Sequence, residues 1–246
     1  MRFTVGSLFS GIGGIDLGLE RAGMEVRWQV ENDSFCSKVL AKHWPEVKRY
    51  GDIRTLTGEE LESVDLICGG FPCQPVSVAG KRRGTEDERW LWPEFARLLR
   101  VVRPRYALIE NVPGLLGFGG MSDILRDLAG LRYDAEWSII PAAAVGAPHL
   151  RGRVFIVAYL SGIGTYERPD SRAITEDARQ VFPWRDKTGE KDPFSYLEHN
   201  DWWDSEPSVG RVANGLPPRL DGLRALGNAV VPQVAEWIGK RILASL

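Results

Sequence analysis

Apolar runs and helical periods alternate over the first 160 residues of the chain. Apolar residues recur at intervals of three and four, as at Ile12, Ile15 and Leu19, between short runs rich in Val, Ile, Leu and Phe. This alternation is typical of an α/β protein with a mainly parallel, doubly wound sheet. Strands are predicted at residues 3–9, 26–30, 64–68, 106–109, 137–140 and 154–159, and helices near 12–22, 35–44, 95–102 and 124–128.

The pattern changes after Tyr159. Glycines and prolines interrupt the following segment, and its apolar residues are mostly aromatic, including three tryptophans. A helical period returns at residues 234–242, which predicts a C-terminal helix that packs back onto the α/β domain. We therefore predict one discontinuous domain, residues 1–160 and 211–246, interrupted by a small irregular segment, residues 161–210.

The composition of the 246 residues, 43% hydrophobic and 26% charged, is that of a folded globular protein. The longest apolar runs have about seven residues, against the roughly 20 that cross a bilayer, so we expect no membrane span. The three cysteines form no Cys-x-x-Cys pair, which favours a reducing compartment and predicts no metal site. Acids and glycines also interrupt any N-terminal secretory signal, and we expect a cytoplasmic protein.

Charge is unevenly distributed although the net charge is only −2. Residues 81–105 carry eight Lys or Arg and four Asp or Glu, whereas residues 161–210 carry six basic and eleven acidic residues. The first stretch predicts a local basic surface, which is the kind of surface that attracts nucleic acid.

A glycine-rich turn follows the first predicted strand, at residues 10–14 (SGIGG). Such a turn between a strand and a helix lets a nucleotide-like ligand approach the helix N-terminus. The signal is weak by itself, because Asp16 stands where the dinucleotide fingerprint has a third glycine. A tight turn without a ligand is the alternative.

Two acidic residues follow at the ends of predicted βα units. Glu31 ends the second strand, where a carboxylate can accept hydrogen bonds from both hydroxyls of a ribose. Gly51-Asp52-Ile53 offers an acceptor for an adenine amino group. The alternatives are a neighbour of a helix cap for Glu31 and an ordinary turn for the tripeptide.

The strongest candidate for chemistry is the segment 69–77 (GGFPCQPVS), directly after a predicted strand. The carboxyl ends of strands in open α/β sheets face the ligand crevice, and Pro72 and Pro75 restrict the backbone around Cys73. A thiolate is a strong nucleophile, so we predict that Cys73 is a catalytic nucleophile. A buried structural cysteine is the alternative, and it suits Cys68, which lies within the strand itself.

Further polar residues lie at the ends of later strands. Glu110 is predicted at the same edge of the sheet as Cys73, where a carboxyl shielded from water has a raised pKa and can donate a proton. Arg151 and Arg153 precede the last strand, and alternation places them on one face, where they could hold a phosphate or a carbonyl oxygen. The alternative for Glu110 is an exposed loop acid, and the alternative for Arg151 and Arg153 is a solvated strand start.

Together and in this order, these motifs resemble the C5-cytosine DNA methyltransferase family, over almost the whole chain except residues 161–210. The resemblance implies a Rossmann-like fold, S-adenosylmethionine as cofactor, and a small target-recognition segment at those residues. The matching motifs are Phe9 with the glycine turn, Glu31, 51–53 (GDI), 72–74 (PCQ), 110–112 (ENV), Arg151 with Arg153, and 227–230 (GNAV).

The resemblance also implies roles for individual residues. Cys73 would add to carbon 6 of a flipped-out cytosine, Glu110 would bind or protonate ring N3, and Arg151 and Arg153 would anchor the cytosine carbonyl and a phosphate. The implied cofactor-binding residues are Phe9, Gly11, Ile12, Gly14, Glu31, Asn32, Asp52, Ile53, Gly70, Pro72, Leu91, Asn228 and Ala229. The implied DNA contacts are Gln74, Ser77, Lys81, Arg82 and Arg83.

The chain departs from the family pattern at several positions. Ser7 stands where the family often has Asp, and His149 stands where Gln commonly precedes the two arginines. The segment 161–210 is short and acidic, so the sequence specificity stays open. The small size of the chain resembles that of phage and prophage members of the family. This resemblance implies that the protein acts in a bacterial cell or a phage-infected host and associates with the nucleoid.

Three other hypotheses stay open. The first is an RNA cytosine-5 methyltransferase, as in a tRNA-methylating branch of the same fold, and the second is a non-catalytic DNA-binding relative. The third, a nicotinamide dehydrogenase, shares the glycine turn and the strand-end acid but leaves Cys73 and Asn228 without a role. We expect a monomer that binds double-stranded DNA, with no metal and no membrane contact.

Overall fold

The computed structural model describes residues 2–72, 90–117, 119–147, 149–162 and 217–246. Seven strands and six α-helices follow one another along these residues. In chain order they are β1 (Thr4–Leu8), α1 (Gly14–Arg21), β2 (Glu25–Val30), α2 (Ser34–His43), β3 (Lys48–Tyr50), β4 (Leu66–Gly70), α3 (Trp92–Val102), β5 (Tyr106–Asn111), α4 (Gly120–Gly130), β6 (Tyr133–Pro141), β7 (Gly152–Leu160), α5 (Pro217–Asn228) and α6 (Pro232–Ala244). Short 3-10 helices lie at Ile53–Thr55, Pro113–Gly117 and Ala142–Val145.

The strands form one sheet in the order β3-β2-β1-β4-β5-β7-β6. The first five strands in that order are parallel, and β7 runs antiparallel between β5 and β6. The carboxyl ends of the five parallel strands therefore share one edge with the amino end of β7, where Asn111 pairs with Val154. This arrangement confirms the predicted Rossmann-like α/β class.

Helices cover both faces of the sheet, which makes it doubly wound. On one face, α3 and α4 bury Trp92, Phe95 and Ile124 against the strands. On the other face, α1 and α6 bury Leu19 and Trp237. Because both faces are covered, the central strands are buried at almost every position rather than at alternate ones.

Glycines let the first and last helices of the chain approach closely. A Cβ atom at Gly18 in α1 would lie 2.3 Å from the carbonyl oxygen of Pro232 and 2.6 Å from Cβ of Ala235. At the start of α1, a Cβ atom at Gly14 would lie 2.5 Å from the carbonyl oxygen of Val230. The helix α6 therefore packs on α1, and the residues before it lie directly beside the glycine-rich turn.

The structure adds two elements to those predicted and extends a third. β3 has three residues, none of them fully buried, and so carries no hydrophobic signal. α5 begins with two prolines and has few apolar residues. β6 begins earlier than predicted because its first half includes Asp134 and Glu136, which are polar and at least partly exposed. The predictions for residues 73–89 and 163–216 lie outside the described residues.

Among the described residues, no helix is long and apolar enough to span a membrane. The same ranges contain no group of three or more His, Cys, Asp or Glu side chains that could hold a metal ion. Cys68 lies fully buried within β4.

Candidate active site

The glycine-rich turn joins β1 to α1 through a left-handed backbone. Phe9, Gly11 and Gly13 have φ angles of 52°, 55° and 83°, a region that glycine enters without a steric penalty. A Cβ atom at Gly13 would lie 2.4 Å from the Trp44 ring, whereas a Cβ atom at Gly11 would meet nothing within 4 Å. The open space at Gly11 leaves room for a ligand beside the turn.

Glu31 ties this turn to the end of β2. Its Oε2 accepts a hydrogen bond of 2.7 Å from the Gly11 N–H, and its Oε1 accepts one of 2.7 Å from the Asp33 N–H. A carboxylate has about four acceptor sites, so both oxygens can still accept from a ligand hydroxyl. The neighbouring Asn32 is exposed.

Asp52 follows β3 and caps a 3-10 helix. Its carboxylate accepts from the Arg54 N–H at 3.0 Å and forms an ion pair with the Arg54 guanidinium. The Arg54 side chain lowers the pKa of Asp52, which keeps the carboxyl ionised and able to accept a further bond. Ile53 is buried beside it, and Leu91, which precedes α3, is half-buried.

Glu110 lies at the end of β5 with only 8% of its surface exposed. Gly70, its partner on β4, leaves the necessary space, because a Cβ atom there would lie 2.3 Å from Glu110 Oε2. Arg153 Nε lies 3.1 Å from Glu110 Oε1. Burial raises the pKa of Glu110 to about 7, against the opposing charges of Arg153 and Arg151. The carboxyl can therefore hold a proton near neutral pH.

Asn111, the next residue on β5, holds the chain that leads to the predicted nucleophile. Its buried side chain donates a hydrogen bond of 3.2 Å from Nδ2 to the Phe71 carbonyl, and its Oδ1 accepts from the Val112 N–H. Pro72 is the last described residue of this segment, and Cys73 lies outside the described residues. The Phe71 carbonyl is therefore held beside Glu110, two residues before Cys73 in the sequence.

Arg151 precedes β7 and has a φ angle of 33°. Its Nη2 donates to the carbonyl oxygens of Gly227 and Ala229 at 2.5 and 2.8 Å. Arg153, by contrast, donates to its own neighbour Gly152 and pairs with Glu110. The two arginines therefore have different partners, and no pattern along the chain predicts the contacts of Arg151.

The cofactor-binding residues implied by the resemblance converge on one edge of the sheet. The described ones lie on the glycine turn, at the ends of β2, β3 and β4, before α3, and in the segment before α6. They are Phe9, Gly11, Ile12, Gly14, Glu31, Asn32, Asp52, Ile53, Gly70, Pro72, Leu91, Asn228 and Ala229. The implied DNA contacts Gln74, Ser77, Lys81, Arg82 and Arg83 lie outside the described residues.

A buried polar cluster beneath the glycine turn was not predicted from the sequence. Asp16 is fully buried and accepts hydrogen bonds of 2.9 Å from Ser7 Oγ and from Gln29 Nε2. Burial raises the pKa of Asp16 to about 6. The departures at positions 7 and 16 were both visible in the sequence, but only the fold brings Ser7, Asp16 and Gln29 together.

The sheet order, with one antiparallel strand inserted beside β5, defines a Rossmann-like fold. A solved structure of DNMT2 from Spodoptera frugiperda has the same fold, with a TM-score of 0.59 and 24% identity over 69% of this chain and 54% of that one. The model of the C-5 cytosine-specific DNA methylase family matches residues 3–208. The chain belongs to this family.

Curated relatives are bacterial Type II methyltransferases. M.NgoMIV of Neisseria gonorrhoeae is 38% identical over 64% of this chain and 52% of its own length. M2.BsuMI of Bacillus subtilis is 33% identical over 93% of this chain and 58% of its own length. The chain therefore spans little more than half the length of these relatives.

Proposed function

We propose that the protein transfers a methyl group from S-adenosylmethionine to carbon 5 of cytosine in double-stranded DNA. The observation that carries the proposal is Glu110, a buried carboxyl with a pKa of about 7. It lies at the same sheet edge as the glycine turn and beside the start of the Cys73 loop. Family membership supports the same reaction.

The residues at this edge fit the cofactor. The open space at Gly11 and the acceptor sites of Glu31 suit a nucleoside, with the Glu31 carboxylate receiving the ribose hydroxyls. Phe9 packs beside the turn, and Asp52 and Ile53 follow β3 at the position expected for the adenine. When bound, S-adenosylmethionine supplies an electrophilic methyl group.

The turn argues against a dinucleotide. The N–H groups of Ser10, Gly11 and Gly13 are all engaged by protein oxygens, those of Val30, Glu31 and Ser10. A pyrophosphate would therefore have only the N–H groups of the first turn of α1 as donors, and a dehydrogenase leaves Cys73 and Asn228 without a role. This arrangement favours a cofactor without phosphate, so we set the dehydrogenase hypothesis aside.

The proposed chemistry begins on the cytosine ring. The sulfur of Cys73 forms a bond to carbon 6 while Glu110 donates its proton, or a hydrogen bond, to ring N3. The electron pair of the double bond between carbons 5 and 6 then makes carbon 5 a nucleophile. Arg153, held 3.1 Å from the Glu110 carboxyl, is positioned to bind the cytosine carbonyl. After methylation, water accepts the carbon 5 proton, the Cys73 sulfur leaves as a thiolate, and any proton on N3 returns to Glu110, which restores the ring.

DNA binding is proposed for segments outside the described residues. A base in a duplex must leave the stack before Cys73 can reach it, at an energy of a few kcal/mol. We assign DNA contacts to Gln74, Ser77, Lys81, Arg82 and Arg83, and target recognition to residues 161–210, within a catalytic domain of residues 1–160 and 211–246. One chain supplies both the turn and Glu110, so we propose that it acts as a monomer, in the nucleoid of a bacterium or a phage-infected host.

The test is transfer of a labelled methyl group from S-adenosylmethionine to mixed-sequence duplex DNA, read at single-base resolution. Cys73→Ser is the matched variant, because it exchanges only sulfur for oxygen. We expect methylated carbon 5 of cytosine in one short sequence context, lost in Cys73→Ser while cofactor binding persists.

A parallel reaction with tRNA separates the alternatives. Transfer to tRNA and not to duplex DNA would replace the proposal with an RNA methyltransferase. Cofactor binding without transfer to either acceptor would favour a non-catalytic relative. Full turnover by Cys73→Ser would reject Cys73 as the nucleophile.

A further inference from the structure

Arg151 connects two parts of the chain that are far apart in sequence. It precedes β7, yet its guanidinium donates to the carbonyls of Gly227 and Ala229. Its φ angle of 33° lies in the left-handed region, which is unfavourable for a residue with a side chain. Such a conformation persists where the surrounding contacts hold it, and the two carbonyl contacts do so here.

The carbonyls that Arg151 binds belong to the end of a helix. α5 ends at Asn228, and the Ala229 N–H closes the last turn by donating to the Ala225 carbonyl at 3.0 Å. The last carbonyls of a helix have no donor within it and carry partial negative charge. A guanidinium is a suitable partner because it offers several N–H groups and a positive charge.

The segment that follows these carbonyls touches the glycine-rich turn. The Val230 carbonyl is so close to Gly14 that a Cβ atom there would lie 2.5 Å away. Val230 itself is buried on the face that α1 covers. Arg151 therefore holds a segment whose next residue packs against the start of α1.

The other neighbours of Arg151 are the groups proposed to act on the base. Its charge opposes the desolvation of the Glu110 carboxyl, and it is electrostatically coupled to Arg153 as well. Arg153 forms the direct ion pair with Glu110. Arg151 thus contacts residues 227 and 229 directly, and its charge acts on the Glu110 carboxyl.

We propose that Arg151 is a positioning residue, which holds residues 227–230 against the glycine-rich turn and thereby maintains the cofactor pocket. Its role differs from that of Arg153, which faces the carboxyl at the base side. The identity of the cofactor rests on the proposed function, whereas the link between Arg151 and residues 227–230 stands on the contacts alone.

The test compares three arginine-to-methionine variants of the full chain. Arg151→Met removes the link, Arg153→Met removes the contact with Glu110, and Arg132→Met is the matched control, because Arg132 is exposed and also has a positive φ angle, 64°. The measurements are the Kd for S-adenosylmethionine by calorimetry and hydrogen exchange of peptides covering residues 225–231.

We expect Arg151→Met to raise the Kd for S-adenosylmethionine about tenfold or more, as loss of two charge-assisted hydrogen bonds predicts. Exchange in residues 225–231 should increase in the same variant without added cofactor. Arg153→Met should lower kcat but change the Kd and the exchange in residues 225–231 less than about twofold. Arg132→Met should change neither the Kd nor the exchange. If Arg151→Met does not fold, Arg151→Lys, which keeps one donor group, should give smaller changes in the same direction.

Unchanged exchange in the Arg151 variants would overturn the link. Increased exchange with an unchanged cofactor Kd would overturn the role in the pocket. If the unsubstituted chain does not bind S-adenosylmethionine, the proposed function fails, and the exchange measurement alone decides whether Arg151 holds the segment.

Discussion

Gly70 determines where the Glu110 carboxyl can lie. The two residues are paired across β4 and β5, and the missing side chain at Gly70 is the space that the carboxylate occupies. The sequence placed Glu110 at a strand end, but the partner across the sheet and the resulting desolvation depend on the register between two strands. The position and the pKa of the Glu110 carboxyl therefore depend on neighbours that only the fold brings together.

Under the proposed function, Gly70→Ala should strongly reduce methyl transfer without unfolding the chain. The new Cβ atom would lie 2.3 Å from Glu110 Oε2 and would displace the proposed proton donor, so we expect kcat to fall about 100-fold, the lower range for loss of a general acid. Gly130→Ala is the control, because a Cβ atom there meets nothing within 4 Å. Equal kcat values for the two variants would show that the Glu110 carboxyl does not depend on the space left by Gly70.

Asp16→Asn should change the pH dependence of stability. The folded-state pKa of Asp16, about 6, is above the ordinary value of 3.8 for an aspartate, so its contribution to the free energy of unfolding is present below about pH 4 and is lost as the pH rises through 6. Asp16→Asn has no carboxyl to titrate, so this loss does not occur in the variant. Between pH 4 and pH 7 its free energy of unfolding should rise by up to about 3 kcal/mol relative to that of the native chain.

Denaturant unfolding at a series of pH values measures this difference. Ser7→Ala provides the second variant, because the Ser7 hydrogen bond lowers the pKa of Asp16. Its removal should extend the loss of stability to higher pH. A native slope retained in Asp16→Asn would show that another group titrates in this window.

At the scale of elements, the contact between α1 and α6 fixes the C-terminal part of the site. Glycines at positions 14, 18 and 239 bring the two helices into backbone contact, and Val230 and Pro232 lie against α1. Their hydrophobic periods predicted both helices. The side on which α6 would pack was decided by the small residues that allow the close approach.

Gly18→Ala should destabilise this pair of helices. The added Cβ atom would lie 2.3 Å from the Pro232 carbonyl oxygen, and overpacking of this kind lowers the free energy of unfolding by about 1–3 kcal/mol. Thermal or urea unfolding measures the effect. Gly130→Ala, near the end of α4 and without close neighbours, should leave stability equal or slightly higher, and a similar loss in both variants would argue against the helix contact.

At the scale of the whole molecule, the site is the edge where five parallel strands end and β7 begins. The glycine turn, Glu31, Asp52, Glu110 and Arg153 come from five separate strand ends. A ligand that contacts several of them joins elements from the whole sheet. Binding should therefore stabilise the fold as a unit.

S-adenosylmethionine at 100 times its Kd should add about 2.7 kcal/mol to the stability, which corresponds to a rise in Tm of about 5–10 °C for a domain of this size. Glu31→Ala should remove most of this shift, because it deletes the carboxylate that faces the turn. Glu62→Gln, at an exposed ion pair with Arg27, should keep it. Scanning calorimetry with and without the cofactor distinguishes the two, and an undiminished shift in Glu31→Ala would exclude this pocket.

The sequence by itself determined the α/β class, the strand ends that carry Glu31 and Glu110, and the resemblance to the family, because hydrophobic periods and short motifs are local properties. The tertiary structure decided what those residues touch. Strand register placed Gly70 opposite Glu110, burial raised the pKa of Glu110, and a contact over 76 residues brought Arg151 to Gly227. Such contacts depend on how distant elements pack, and no spacing along the chain encodes them.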